Sequence, residues 1–164
     1  MIQDFDTQLQ VALRALEEVV APALAGAEKH VVEQLMLSIL TVGFVKQRLP
    51  EARRFYRMEL RCCVNLAAEA AAICDVPESF RNALQKGEHA LLDPEADLAD
   101  FEACSRRLRD EVTALSHASA GSAHEARLEA AILQHCGALV AQQRQWCTPF
   151  GFELQPEKLP ATAW

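Results

Sequence analysis

Apolar and polar positions alternate with a helical period along nearly the whole chain, and one stretch is apolar almost without interruption. Val31 to Val45 reads VVEQLMLSILTVGFV, and between Leu35 and Val45 only Ser38 and Thr41 are polar. A helix that is apolar nearly all round is expected to be buried on most sides. Glu28, Lys29 and Glu33 at one end and Lys46 and Arg48 at the other leave too little apolar length to cross a bilayer. The stretch therefore reads as the central helix of a bundle, over residues 27–48. At 100° per residue, His30, Gln34, Ser38, Thr41 and Arg48 fall on one narrow stripe of it. That stripe either looks at solvent between two neighbouring helices or lines an internal polar site.

The other elements follow from the same periodicity. Residues 4–20 form a first helix with Leu9, Ala12, Leu13, Leu16, Val19 and Val20 on its apolar face and Asp4 or Asp6 as its cap. Pro22 and Gly26 break the pattern after it. A third helix spans residues 50–74, started by Pro50, with Phe55, Cys62, Leu66 and Ile73 pointing one way. Asp75 to Glu78 has the form of a capping box, and the short helix it opens is expected to stop at Gly87, leaving 88–93 as a connector. Asp93-Pro94 then starts a fifth helix with the seam Leu98, Phe101, Ser105, Leu108, Val112 and Leu115, spaced like a coiled coil. Ser122 to Glu125 reads as a second capping box. It opens a sixth helix with Leu128, Ile132, Leu139 and Trp146 inside. The three prolines of residues 148–164 exclude a continuous helix there, and Phe150, Phe152 and Trp164 suit a docking tail. The expected fold is all-α. It is a mostly antiparallel bundle of about five long helices and one short one, in a single domain of residues 1–164 with a non-helical tail at 149–164.

Composition narrows the partners. The 164 residues are 51% hydrophobic with a net charge of −7, which argues against nucleic acid as the main partner. No membrane association is expected. The opening MIQDFDTQLQ carries acids where a secretory leader needs basic and then apolar residues. Six cysteines, at 62, 63, 74, 104, 136 and 147, form no C-x-x-C pair. In a long helical chain they read as reduced thiols used as small core residues in a cytoplasm. The adjacent pair Cys62 and Cys63 is the alternative, as a redox or soft-metal site.

PALAGAEKHVVEQLMLSILTVGFVKQRL (22–49) and NALQKGEHALLDPEADLADFEACSRRLRDEVTAL (82–115) resemble a bacterial family of small helical proteins of unknown function. The resemblance lies in apolar spacing, the Pro-Ala-Leu-x-Gly turn and the Lys-Gly-Glu turn. It implies a genomic neighbourhood of acyl-CoA dehydrogenases and aminoglycoside-phosphotransferase-like kinases, and it supplies no catalytic residues.

Candidate chemistry is sparse. Di-iron bundles need Glu-x-x-His motifs, and none occurs; His30 to Glu33 has the reverse order. His124 and His135 are about 16 Å apart along a helix, too far to share an ion. Nucleophile elbows and Gly-rich phosphate loops are absent. No metal and no cofactor are expected. Arg53, Arg54, Arg57 and Arg61 occupy one arc of the third helix, just after Lys46 and Arg48. The arc suits an acidic protein or a phosphate-bearing small molecule such as an acyl-CoA, or else it is a solvated face. Two functions are consistent with the sequence. One is a non-enzymatic accessory or interaction protein, a homodimer in bacterial cytoplasm. The other is a small-ligand binder or enzyme that uses Arg48, the arginine arc, and His30, Gln34, Ser38 and Thr41.

Overall fold

The computed structural model describes residues 4–164, and among them there are helices and turns but no strand. The all-α helical bundle expected from the periodicity is what the chain forms. The helices are α1 (Phe5–Arg14), α2 (Ala21–Ala23), α3 (Lys29–Arg48), α4 (Ala52–Ile73), α5 (Glu78–Leu92), α6 (Leu98–Ala118) and α7 (Glu125–Trp146). A π-helical stretch, Ala15–Val20, joins α1 to α2 just before Pro22. Short 3-10 turns occupy Leu49–Glu51, Thr148–Phe150 and Pro156–Lys158. No helix is long and apolar enough to cross a membrane among the described residues.

The chain divides into two compact units. The first runs to Pro50 and takes in Arg144–Leu159; the second is Glu51–Gln143 with Pro160–Trp164. The residues of the tail are thus divided between the units.

The second unit holds the principal core. Leu60, Cys63, Val64, Leu66, Ala67 and Ala70 of α4 pack with Phe80, Ala83 and Ala90 of α5 and with Phe101, Leu108, Val112 and Leu115 of α6. Leu128 and Ala131 of α7 close it. The seam read on α6 is buried from Phe101 to Leu115, and Leu98 stays exposed at its start. Small residues set the helix spacing. A Cβ on Gly87 would come within 3.0 Å of both Leu108 Cδ1 and Val64 Cγ2. Gly87 is therefore a contact residue inside α5 and not the end of a short helix, which corrects the stop expected there. Close approach, not backbone freedom, is what this glycine supplies.

The helix starts also differ from the expected caps. Asp75 does not cap α5, whose N-cap is Pro77 without a side-chain bond. Asp93 accepts from the Glu95 N–H at 2.9 Å and shapes a turn. The box that starts α6 is Asp97 with Asp100, each carboxylate taking the other's backbone N–H, at 3.0 and 2.9 Å. Before α7, Ser122 Oγ accepts from the His124 N–H, and Glu125 reaches back to the Gly121 N–H.

The first unit has a thinner core. Its only buried residues among those described are Leu13 of α1 and Leu35 of α3. α3 is therefore not the helix buried on most sides that its composition suggests. Met36, Leu37 and Leu40 are 51%, 49% and 39% exposed. Apolar content states how much surface a helix could hide, not how many neighbours it has. Within its unit α3 packs on α1 and on the turn at Thr148–Phe150. Phe150 stacks on Phe44 at 4.3 Å between ring centroids, and Trp146 meets Phe44 edge-on at 6.1 Å.

Candidate functional site

The polar stripe of α3 is spread along the solvent side and does not converge on a cavity. Ser38 Oγ donates to the Gln34 carbonyl and Thr41 Oγ1 to the Leu37 carbonyl, each at 2.8 Å. Both hydroxyl protons are thereby used within the helix itself. Gln34 is exposed, and exposed His30 lies 3.3 Å from Glu28. Arg48 at the end of the stripe has a different task. Its Nε donates to the Trp146 carbonyl at 2.8 Å, and its Nη2 donates to Gln145 O and Thr148 Oγ1 at 3.0 and 3.1 Å. The last carbonyls of a helix lack intrahelical partners and carry partial negative charge, so a guanidinium there satisfies both.

The arginine arc of α4 is engaged in the same manner. Arg53 donates to Pro94 O at 2.8 Å and to Ala96 O at 3.0 Å, and its guanidinium lies 5.5 Å from the Phe101 ring centroid. Arg57 donates to Leu91 O and Arg61 to Ala163 O. Three of the four arginines thus fasten backbone of the end of α5, the α5–α6 connector and Ala163 onto α4. Arg54 makes no hydrogen bond or ion pair among the described residues. With its neighbours, Met58, Ala163 and Trp164 it lines a recess of about 290 Å³. Trp164 is seated there, its ring edge-on to Phe55 at 5.3 Å and its Nε1–H donating to Glu51 at 3.1 Å.

Other chemistry is weakly gathered. Among the described residues no three His, Cys, Asp or Glu side chains are placed to hold a metal ion. His135 pairs with Glu69 at 2.9 Å, and His124 is exposed. All six cysteines are free thiols. Burial pushes the Cys62 and Cys63 thiols up, which makes the reactive thiolate scarcer at neutral pH. A cavity of about 740 Å³ along α5 and α6 sets Lys86 and His89 beside Glu88, Asp93 and Asp100, so both signs of charge line it.

What the sequence reading missed is the outer face of α3. At 100° per residue, Glu33, Met36, Leu37, Leu40, Gly43, Phe44 and Gln47 share one side of the helix, roughly opposite Leu35. They recur at steps of three and four. A Cβ on Gly43 would meet nothing within 4 Å. A glycine inside an apolar helical run was the one signal the sequence held.

Comparison with protein-family models, curated proteins and solved structures returns no match.

Proposed function

We propose that this protein is a non-enzymatic interaction or accessory protein, and that it self-associates through the outer face of α3. The observation that carries this reading is the exposure of Met36, Leu37 and Leu40 on adjacent turns of one helix. Large apolar side chains scattered singly need no explanation, but a contiguous group favours docking. The use of Arg48, Arg53, Arg57 and Arg61 on backbone carbonyls adds support, because those groups are already committed within the fold. A homodimer is the natural assembly, since closed two-fold pairs are the commonest oligomers. Six free thiols fit a reducing cytoplasm, and a bacterial source rests on the family resemblance alone.

The test is the solution mass across a wide concentration range, for the wild type and for Leu40→Glu. A concentration-dependent dimer that Leu40→Glu dissociates, without lowering the melting temperature, is the expected result. A wild type that stays monomeric throughout sinks the reading.

One observation favours a second reading. Arg54 lines the recess beside Trp164 with no anionic partner among the described residues. A phosphate-bearing small molecule or an acidic protein segment would supply one. Titration with inorganic phosphate and CoA, comparing wild type with Arg54→Glu, decides it: no binding by the wild type removes this site.

A further inference from the structure

We infer that the arginine recess of α4 is a site for a small molecule carrying linked phosphates, and that docking of residues 161–164 completes it. This rests on the second reading above and adds the ligand class and the part played by the tail. Arg53, Arg54, Arg57 and Arg61 line one recess of about 290 Å³. Their bonds leave their charge standing. Arg53, Arg57 and Arg61 donate to main-chain carbonyls, at Pro94 and Ala96, at Leu91 and at Ala163. A carbonyl accepts a hydrogen bond but carries no net charge. The four guanidiniums therefore share the recess with no ion pair to a carboxylate among the described residues. In a chain of net charge −7 this is an exception. A recess lined by one sign of charge concentrates ions of the other, and the more highly charged the ion, the greater its gain.

The bonds that commit three of these arginines within the fold also hold them still. Arg57 donates from Nη2 to Leu91 O at 2.9 Å, and Arg61 from Nη2 to Ala163 O at 3.1 Å. A guanidinium anchored at one N–H keeps its other donors in a fixed plane, so less side-chain freedom is lost when an anion arrives. Arg54 is the unanchored arm. Arg54, Arg57 and Arg61 recur at steps of three and four, spread along about 10 Å of helix axis. A single phosphate presents its oxygens at one point of such a row. A chain of two or three phosphates extends along it, and each guanidinium fork can take a pair of oxygens.

Arg61 differs from its neighbours in being anchored by the tail. Its acceptor, the Ala163 carbonyl, is fixed in turn by Gln142 of α7, a side chain only 9% exposed. Gln142 Nε2 donates to Ala161 O at 3.1 Å, and Gln142 Oε1 accepts from the Ala163 N–H at 3.0 Å. One buried amide thus spends both its acceptor and a donor on the same short segment, which sets that segment's backbone at a defined place. The Trp164 ring, edge-on to Phe55 and donating to Glu51, forms part of the recess wall. Undocking the segment takes away a wall and the anchor of Arg61 together. Gln142 is therefore a positioning residue for the recess.

Calorimetric titration of the full chain with inorganic phosphate, pyrophosphate, tripolyphosphate and citrate tests the inference. Affinity is expected to rise by about tenfold or more from phosphate to tripolyphosphate, and tripolyphosphate is expected to bind more tightly than citrate. Arg54→Met and Arg61→Met are each expected to weaken tripolyphosphate binding by about tenfold. Gln142→Leu, and Ala163→Pro, which removes the N–H that Gln142 accepts, are expected to weaken it by about fivefold. In an Arg61→Met background Ala163→Pro is expected to add little, because the tail acts chiefly through Arg61. No binding of any phosphate by the wild type overturns both the inference and the reading it rests on. Equal affinity for phosphate and tripolyphosphate, or citrate binding as tightly as tripolyphosphate, overturns the ligand class and leaves the Arg54 site standing. Undiminished binding by both Gln142→Leu and Ala163→Pro overturns the part given to the tail, as does an Ala163→Pro loss that is equally large without Arg61.

Discussion

The guanidinium of Arg48 donates to the backbone carbonyl of Trp146 at 2.8 Å and at the same time lies 5.1 Å from the centroid of the Trp146 ring. One side chain therefore caps the end of α7 and packs on its last residue. Hydrogen bonds to a charged donor contribute more than neutral ones, and a partly buried site screens them less. Arg48→Met, which keeps most of the apolar stem, is expected to destabilise the protein by about 2 kcal/mol. Arg48→Lys recovers only part of this, because an ammonium cannot span Trp146, Gln145 and Thr148 as a planar fork does. Chemical denaturation of the three proteins measures both effects.

Gly87 and Gly137 make a contrasting pair of helical glycines. A Cβ on Gly87 would stand tightly, at 3.0 Å, against Leu108 Cδ1 and Val64 Cγ2, whereas one on Gly137 meets nothing within 4 Å. Gly87→Ala is expected to cost about 1–3 kcal/mol by overpacking. Gly137→Ala is expected to stabilise by up to about 1 kcal/mol through helix propensity. Opposite shifts in melting temperature confirm the assignment of Gly87 to the core.

Location of the core is tested by truncating side chains. Phe101 is fully buried, and Phe101→Ala is expected to cost about 3–5 kcal/mol. Leu37→Ala on the outer face of α3 is expected to change protomer stability by less than about 0.5 kcal/mol. If Leu37→Ala were as costly as Phe101→Ala, α3 would be a buried helix after all.

Arg144 holds Glu153 through two parallel bonds, Nε to Oε2 at 2.9 Å and Nη2 to Oε1 at 2.8 Å. The hydrogen bonds from Arg144 lower the Glu153 carboxyl below its usual range. A carboxyl lowered on folding contributes stability that is present above its unfolded value and lost as the pH falls through its folded value. The tie is therefore intact at neutral pH and released only in acid. Glu153→Gln is expected to reduce the acid-side loss of stability, read as the wild-type minus mutant difference in melting temperature between pH 7 and pH 3. Equal pH profiles for the two proteins would deny the tie any thermodynamic role.

Much of the fold was legible in the sequence, and the reasons are local. The steps of three and four from Phe101 to Leu115 specify a buried face whatever the partner helices are. Turn chemistry also announced the break at Pro50, whereas at Pro22 the helical run continues through Ala23 behind a π-helical stretch. Three features were not legible. Gly87 has the identity of a helix stop, and only its neighbours Val64 and Leu108 show that it is a packing position. Asp93 has the look of the cap for the fifth helix, but the box forms four residues later, between Asp97 and Asp100. The apolar run of α3 carries no record of how many helices cover it. The arginine arc was legible as a cluster, but its acceptors are main-chain carbonyls, which leave no mark in a sequence.

That last feature bears on how the protein can change over time. Arg53, Arg57 and Arg61 grip carbonyls at Leu91, Pro94, Ala96 and Ala163, and a carbonyl is present whichever residue stands there. The gripped segments are free to drift in side-chain identity so long as their backbone path is kept, whereas the arginines have no such freedom. Among relatives of this chain the expected signature is an invariant set of basic positions on one helix facing a connector and a chain end of variable composition.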